Sequence, residues 1–385
     1  MAQTNLRRWL QLWQQLGQQI LSDKAVRLTF VAGLLLYAVL YPLPYLNQVA
    51  VSQSVVLVDL DNSGASRQLI RAVQASPGLT ISGQLASEAE ALTAVHQGQA
   101  AGLVLIPQGF GKQLRLGTQA TVAVAADAHY FLAYGVIAES VIKASQVLSG
   151  EVRLARQLMV GQAVASGGVR LNAAPSSNLK MGYLDYMLPG LFVLILHQLL
   201  LLCGGLTTVR LLQIDGLWLH TGSGQLWSVL AAIALPPFVL AGVWYLGPLL
   251  LHYDVALLGT WLNLMGLMIP FWLATFSLSI VLGCVFQRRD SLAQLILFSA
   301  MPLLFSAGYV WPTSNLAWPW LTLWGLIPSQ PMMQGMILLN QLGAPAQALQ
   351  WHHLTLWGQA VGWSLLAMQL LRKRRLSRAA VLAAV

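Results

Sequence analysis

The sequence predicts an α-helical polytopic membrane protein with six transmembrane helices and an inserted α/β extracytoplasmic domain. First, 57% of the 385 residues are hydrophobic and only 9% are charged, whereas an ordinary soluble domain is about 25% charged. Second, several stretches without Asp, Glu, Lys or Arg exceed the roughly 20 residues that a helix needs to cross a bilayer. Third, residues 48–182 have the mixed composition of a soluble fold. A typical soluble enzyme is therefore excluded.

Residues 1–27 are predicted to form a cytoplasmic amphipathic helix. Its apolar side chains recur at helical spacing: Leu6, Trp9, Leu10, Trp13, Leu16 and Ile20. Such a helix lies on the membrane surface or against a partner, with Arg7 and Arg8 near lipid phosphates; a helix that simply packs on the rest of the chain is equally compatible. Residues 28–47 are predicted as the first transmembrane helix. A retained anchor is favoured over a cleaved signal peptide, because the basic leader is long and no clean A-x-A site follows.

Residues 48–182 alternate between strand and helix patterns, which predicts a small α/β domain. We expect strands at Val55–Leu60, Leu79–Gly83, Gly102–Ile106 and Thr121–Ala126, and helices at Ser66–Gln74, Ser87–Gln97, Gly109–Leu116 and about His129–Ala165.

Two motifs in this segment superficially match catalytic sites. Asp59–Ser63 (DLDNS) has the D-x-D of some transferases, but no second carboxylate cluster follows, so a turn that caps the next helix is favoured. Gly109–Lys112 (GFGK) lacks the spacing of a phosphate-binding loop. We therefore expect no ATP site on this chain.

Residues 183–371 are predicted to hold five more transmembrane helices. The final uncharged run is too long for one span. We expect crossings at Leu292–Trp311 and Leu354–Leu371, with an outer re-entrant segment at about 312–350 because prolines interrupt any continuous helix there. Residues 372–385 form a basic cytoplasmic tail.

The formal net charge of +9 is unevenly distributed. Twelve of the 21 Lys and Arg residues, with only three acids, lie in four short segments: residues 1–27, 209–219, 287–290 and 372–385. Short cationic loops stay in the cytoplasm, so both termini are predicted inside and the inserted domain outside. The basic excess is thus an orientation signal and does not indicate a nucleic-acid partner.

Few polar groups lie within the predicted spans. No charged residue lies at the centre of any span, which disfavours a proton relay or an ion-coupled transporter. For His197 and Gln198 a helix-packing hydrogen bond is favoured over a substrate contact. His352 and His353 are expected to anchor the interface rather than bind a metal. Cys203 and Cys284 are expected to be buried apolar residues rather than a disulfide or zinc ligands.

Four stretches, in this order and spacing, resemble the permease subunits of type-2 ABC exporters, in particular the bacterial subgroup with a large extracytoplasmic domain between the first two spans. They are Val55–Ser66 with Leu103–Phe110, Leu171–Leu191, Ala293–Pro312 and Ile327–Gly335. The resemblance implies a second permease subunit in a homo- or heterodimer, a separate cytoplasmic ABC ATPase that holds ATP and Mg²⁺, and often a periplasmic adaptor. It implies a multi-pass protein of the bacterial inner membrane that binds no cofactor and catalyses no reaction itself.

The resemblance also implies two groups of functional residues. The loop after the second span would be the coupling helix on the ATPase, carried here by Arg210, Gln213, Asp215 and Gly216. The family pattern R-E-x-E-x-G-T keeps only Arg210, with Leu211 and Gln213 in the acidic positions and Asp215–Gly216 displaced by one residue. We therefore expect this chain to be the degenerate half of a heterodimer. The gating and re-entrant positions are Pro189, Gly190, Pro302, Gly308, Pro312 and Pro328.

The function expected from these features is export of an amphiphilic or hydrophobic cargo, as in multidrug efflux. The alternative is a non-transporting membrane scaffold whose external domain binds an envelope or secretion partner. A membrane enzyme ranks last, because only Asp185 and Asp254 lie at the outer ends of the spans.

Overall fold

The computed structural model describes residues 2–46, 52–116, 118–126, 131–159, 183–214, 216–255, 257–311 and 313–383. The chain divides into two compact units. The helical unit comprises Met1–Gln48 and Ala174–Val385, and the α/β unit comprises Val49–Ala173. The sequence predictions for residues 160–182 lie outside the described residues.

The helices and strands are numbered in chain order. The helices are α1 (Ala2–Ser22), α2 (Lys24–Leu40), α3 (Gly64–Gln74), α4 (Glu88–His96), α5 (Phe110–Leu116), α6 (Phe131–Met159), α7 (Tyr183–Gln213), α8 (Ser223–Trp244), α9 (Leu250–His252), α10 (Trp261–Val285), α11 (Arg289–Ser306), α12 (Trp318–Gly325), α13 (Ser329–Leu342) and α14 (Gln350–Ala383). The strands are β1 (Gln53–Asp59), β2 (Leu79–Leu85), β3 (Gly102–Ile106) and β4 (Ala123–Ala126).

The α/β unit is built on a four-stranded sheet of order β2-β1-β3-β4. β1 pairs in parallel with β2 and β3, and β3 pairs antiparallel with β4. One face of the sheet packs against α3 and α6 through Leu69 and Ile137, and the other packs against α4 through Ala91 and Val95. Strands covered on both faces are apolar along their whole length. The predicted alternation of strands and helices is confirmed in the described residues.

The helical unit is centred on α7 and α10, which pack against each other and are largely buried. Three described helical segments are long and apolar enough to cross a membrane: Leu184–Gln213, Ser223–His252 and Trp261–Val285. The second of these comprises α8 and α9 joined by a π-helical turn at Tyr245–Leu249, which contains Pro248. A π turn adds a residue without breaking the helix. Six crossings remain a prediction from the sequence.

Several predicted helix limits are wrong. The helix predicted at 28–47 starts four residues earlier and ends at Leu40, because Pro42 and Pro44 follow and a proline cannot donate the next helical hydrogen bond. In the region predicted as the fifth span, Leu292–Trp311, the helix ends at Ser306. The last helix continues through most of the predicted basic tail to Ala383.

The leader helix α1 packs on the helical unit. Leu12 and Leu16 are buried, and Trp9 Nε1 donates a hydrogen bond to Ser228 Oγ of α8 at 3.1 Å. A second apolar row stays exposed on α1 and comprises Leu6, Leu10, Trp13 and Leu21. The predicted leader helix covers residues 1–27, but α1 ends at Ser22 because Asp23 caps the separate helix α2. One apolar row of α1 packs on the rest of the unit and the other is exposed, and its cytoplasmic location at a membrane surface stays a prediction.

The predicted re-entrant segment contains two helices, α12 and α13. α13 packs against α7 and α10, and its buried side chains include Met332, Met333, Met336 and Leu339. It ends at Leu342, and the C-cap Gly343 has φ +57°, the left-handed conformation that glycine adopts at low cost. α13 is therefore part of the helical core.

Candidate functional site

A three-membered ion cluster lies at the ends of three helices of the helical unit. Asp23 Oδ2 lies 2.8 Å from Arg210 Nη1 and 2.7 Å from Arg289 Nη2. Asp23 Oδ1 accepts a hydrogen bond from the backbone N–H of Ala25 at 3.0 Å and so caps α2. One carboxylate therefore starts α2 and joins it to the last turn of α7 and the first residue of α11.

Two of the three charges in this cluster suit the helix ends at which they lie. A carboxylate is favourable at the start of α2 and a cation is favourable in the last turn of α7, whereas Arg289 at the start of α11 is unfavourable. Asp23 compensates Arg289 directly. Burial raises the pKa of Asp23, but the hydrogen bonds from Arg289 and Arg210 outweigh it and lower the pKa from 3.8 to about 2. The carboxylate is therefore ionised at neutral pH.

Two basic side chains within α14 make further hydrogen bonds, to the end of α10 and to the residue just before the N-cap of α8. Arg374 donates from Nε and Nη2 to the backbone carbonyl of Cys284 at 3.1 and 2.7 Å, which satisfies a carbonyl at the end of α10. The Gln287 side chain, oriented with its oxygen toward Arg374, accepts at 2.8 and 2.9 Å. Arg375 donates to the carbonyl of Thr221 just before α8. We call the ion cluster and these groups the basic network; it comprises Asp23, Arg210, Thr221, Cys284, Gln287, Arg289, Arg374 and Arg375.

Two of the four predicted coupling residues, Arg210 and Gln213, contact this network. Arg210 belongs to it, and Gln213 Nε2 donates a long hydrogen bond of 3.5 Å to the carbonyl of Gln287. Gly216 precedes a short 3₁₀ turn at Leu217–His220, whereas Asp215 lies outside the described residues. The turn is held by the buried Trp218, whose Nε1 donates to the carbonyl of Ile214 at 2.8 Å.

Both predicted gating glycines, Gly190 and Gly308, belong to a second cluster. An ideal Cβ on Gly190 of α7 would lie 2.2 Å from Tyr309 Cζ, so only glycine lets this ring pack on the helix. Tyr309 Oη donates to the carbonyl of Met333 in α13 at 3.3 Å, and Tyr186 Oη donates to the carbonyl of Gly308 at 3.0 Å. Gly308 has φ +92°, which permits the turn after α11.

The prolines are dispersed around this second cluster. Pro189 lies buried in the first turns of α7, Pro302 lies within α11, and Pro328 precedes α13. Near Pro302, the carbonyl of Leu303 accepts from Gln330 Nε2 at 2.7 Å, which ties α11 to α13. Pro312 lies outside the described residues.

His197 and Gln198, the polar pair in α7, lie in two different environments. Gln198 Nε2 donates to Ser299 Oγ of α11 at 3.3 Å, so a helix-packing hydrogen bond is confirmed for Gln198. The same prediction is wrong for His197. Its ring is fully buried beside Phe271, and neither ring nitrogen has a hydrogen-bond partner among the described residues.

The carboxylates of the Asp59–Ser63 motif hold the backbone. Asp59 accepts from the N–H groups of Asp61 and Asn62 at 3.1 and 3.0 Å. Asp61 accepts from the N–H groups of Gly109 and Gly111 at 2.8 and 2.9 Å, and hydrogen bonding, first of all from Ser63, lowers the pKa of Asp61. Ser63 caps α3. The predicted capping turn is confirmed, and it also positions the start of α5.

The sequence did not point to Asp23 and Tyr309, which contact the candidate residues Arg210 and Gly190, or to Arg289, which also pairs with Asp23. Asp23 carried a detectable signal, because an Asp directly before a long apolar stretch is a typical N-cap. Tyr309 carried none, since its contact with Gly190 depends on how two distant helices pack. Among the described residues, no group of three His, Cys, Asp or Glu residues could hold a metal ion.

Comparison with known families gives one match over most of the chain. The model of the family described as ABC-2 family transporter protein matches residues 24–368. No curated protein and no solved structure matches the chain.

Proposed function

Because the chain belongs to the ABC-2 transporter family, whose members are membrane transport components, we propose that it is the permease subunit of an ATP-driven exporter. The observation that carries this proposal is the family match from residue 24 to residue 368, which includes the three apolar helices and five of the eight residues of the basic network. A separate ABC ATPase would bind ATP and Mg²⁺ and supply the energy. The cargo would be amphiphilic or hydrophobic, because the spans carry no central charge.

The basic network supports six crossings. Six helices each have a part in it: α2 and α11 start there, α8 starts just after it, α7 and α10 end there, and α14 passes through it. Consecutive helices of this set run alternately away from and toward the network, as expected for a chain that crosses a membrane six times. The apolar surfaces of α2 and α11, with side chains such as Leu35 and Phe298 exposed, suit contact with lipid.

Charge supports the orientation. The basic network carries Arg210, Arg289, Arg374 and Arg375 against Asp23, and clustered cations in short loops are retained in the cytoplasm. Both termini would then be cytoplasmic in a bacterial inner membrane. The α/β unit would be extracytoplasmic, as in the subgroup with a large external domain, where it could engage a periplasmic adaptor.

The loop at Ile214–Thr221 is the proposed contact with the ATPase. The acid that pairs with Arg210 comes from Asp23, at the start of a different helix, rather than from the loop itself. Among the described residues on or beside this loop, Gln213 and His220 have exposed side chains. Since Gln213 stands where the usual motif has an acid and Asp215 is displaced by one residue, we propose a heterodimer in which a second permease carries the intact acidic loop.

The test is site-specific photo-crosslinking in intact membranes. A photo-reactive amino acid replaces the exposed His220 in one variant and the exposed Asn315, in the segment between α11 and α12, in the matched control. Neither side chain belongs to the basic network, so folding is preserved. After irradiation, crosslinked products are purified through a tag on this chain and identified by mass spectrometry.

A crosslink from position 220 to an ABC ATPase, without one from position 315, is the expected result. A crosslink from the same loop to a second, different permease would support the heterodimer. If no ATPase is captured from position 220 while position 315 captures an envelope protein, coupling is refuted and the scaffold function is supported instead.

A further inference from the structure

An apolar cavity of about 160 Å³ lies within the helical unit, next to the basic network. Five helices contribute to its wall: α1, α2, α7, α8 and α10. The wall is almost entirely hydrocarbon and includes Val26, Phe30, Cys203, Leu230, Phe238 and Ile280. The cavity is partly open at the surface of the unit, where Leu21 and Arg27 are exposed. Covering such a hydrocarbon wall with an apolar group is more favourable than leaving it to water.

The positive charge of Arg27 at the cavity favours an apolar molecule that also carries a negative charge. Arg27 contributes to the cavity wall and is exposed, and no carboxylate pairs with it among the described ion pairs. Lys24 is exposed one turn away on α2 but does not line the cavity. A molecule with an apolar chain and an anionic head would place the chain against Phe30 and Phe238 and the head at Arg27. This combination is the chemistry of an anionic phospholipid.

The cavity also borders the ion cluster. Ile20, Thr207 and Leu230 line both this cavity and a smaller pocket formed by Asp23 and Arg210. An acyl chain in the cavity would support the corner between α1 and α2, where Asp23 lies. A chain that fits this cavity gains van der Waals contacts with the apolar side chains of its wall.

We propose that this cavity binds one acyl chain of an anionic phospholipid, with the head group held by Arg27. The site involves residues outside the proposed coupling loop and the Gly190 cluster, so it is a lipid site of the folded permease unit and does not depend on transport. The exporter function can fail its test while this proposal stands.

The two cysteines allow a direct test. Cys203 lines the cavity, whereas Cys284 is buried at the end of α10 and does not. The purified full chain in a neutral maltoside detergent is treated with N-ethylmaleimide, and labelling of each cysteine is followed by peptide mass spectrometry. Dioleoyl phosphatidylglycerol is added in one series and dioleoyl phosphatidylcholine, with the same acyl chains, in another.

We expect phosphatidylglycerol to slow the labelling of Cys203 at least threefold relative to that of Cys284, and phosphatidylcholine to have less effect. Arg27→Gln should abolish the difference between the two lipids, and Lys24→Gln should preserve it. Ala234→Leu, which adds volume to the cavity wall, should reduce protection by either lipid.

Three outcomes would overturn the proposal. Equal protection by both lipids would remove the role of the anionic head group. Equal slowing of both cysteines would show a general effect on stability rather than occupancy of the cavity. No protection in the wild-type chain would exclude the acyl chain. Retention of bound phosphatidylglycerol in native mass spectrometry, lost in Arg27→Gln, provides a second measurement if a variant changes thiol reactivity.

Discussion

Replacing Asp23 by Asn should destabilise the helical unit by about 2 kcal/mol. The carboxylate is almost completely buried, and its pKa is lowered from 3.8 to about 2; each pKa unit corresponds to about 1.4 kcal/mol of stabilisation of the ionised form. Breaking a fully buried ion pair costs about 3–5 kcal/mol. The expected loss of about 2 kcal/mol is below this range, because Arg210 and Arg289 are about one-third exposed and can turn toward water when the carboxylate is removed.

The same lowered pKa predicts the pH dependence. Asp23 binds a proton more readily in the unfolded chain than in the folded chain, so its contribution is fully present above about pH 4. It is lost as the pH falls through the folded pKa of about 2. Asp23→Asn should remove this part of the acid sensitivity while it lowers stability at neutral pH.

The assay is unfolding by sodium dodecyl sulfate in mixed micelles, followed by the reactivity of the buried Cys203 and Cys284. Asp290→Asn is the matched control, because Asp290 carries the same charge in the first turn of α11 but is exposed. Its loss should cost about 0.5 kcal/mol, the usual value for an exposed carboxylate at a helix start. Equal losses in the two variants, or an unchanged acid sensitivity in Asp23→Asn, would refute the structural role of the ion cluster.

Three other substitutions test separate contacts. Gly190→Ala should cost about 1–3 kcal/mol in the same unfolding assay, because the added Cβ overlaps the Tyr309 ring. Gly224→Ala is the control and should be neutral or stabilising, because its added Cβ lies 3.7 Å from the nearest atom, Met368 Sδ. Equal losses of stability in the two variants would contradict the packing of Gly190 on Tyr309. His197→Leu should stabilise the chain by about 1 kcal/mol, because it removes a buried polar ring without a partner among the described residues; a loss of stability would indicate a missed hydrogen bond. Asp61→Asn should increase amide hydrogen exchange at Gly109 and Gly111, because the Asp61 carboxylate accepts hydrogen bonds from both N–H groups. Exchange at these two amides that is unchanged relative to the amides of β1 would show that the carboxylate is not needed to hold the start of α5.

The sequence predicted local features well because each depends on neighbouring residues. The strand at Gly102–Ile106 has the predicted limits, since Gly and Pro bound a short apolar run. Ser87 caps α4 as expected. The limits of α2 and α14 were less predictable from the sequence. An uncharged apolar stretch shows which part of a helix suits a membrane, but it does not show at which residue the helical hydrogen bonds stop. The pattern at Asp59–Ser63 identified the turn but not its long-range contact with Gly109 and Gly111.

The sequence by itself determined the apolar helices, the alternation of strands and helices in the α/β unit, and the concentration of positive charge in four short segments. These are properties of composition and periodicity. Only the tertiary structure decided that Asp23 pairs with Arg289, 266 residues away, and that Gly190 accommodates the ring of Tyr309. The same holds for the apolar cavity, whose wall comes from five helices. Such contacts depend on which helix ends lie together and on how the helix faces pack. The periodicity of a single helix determines neither of these.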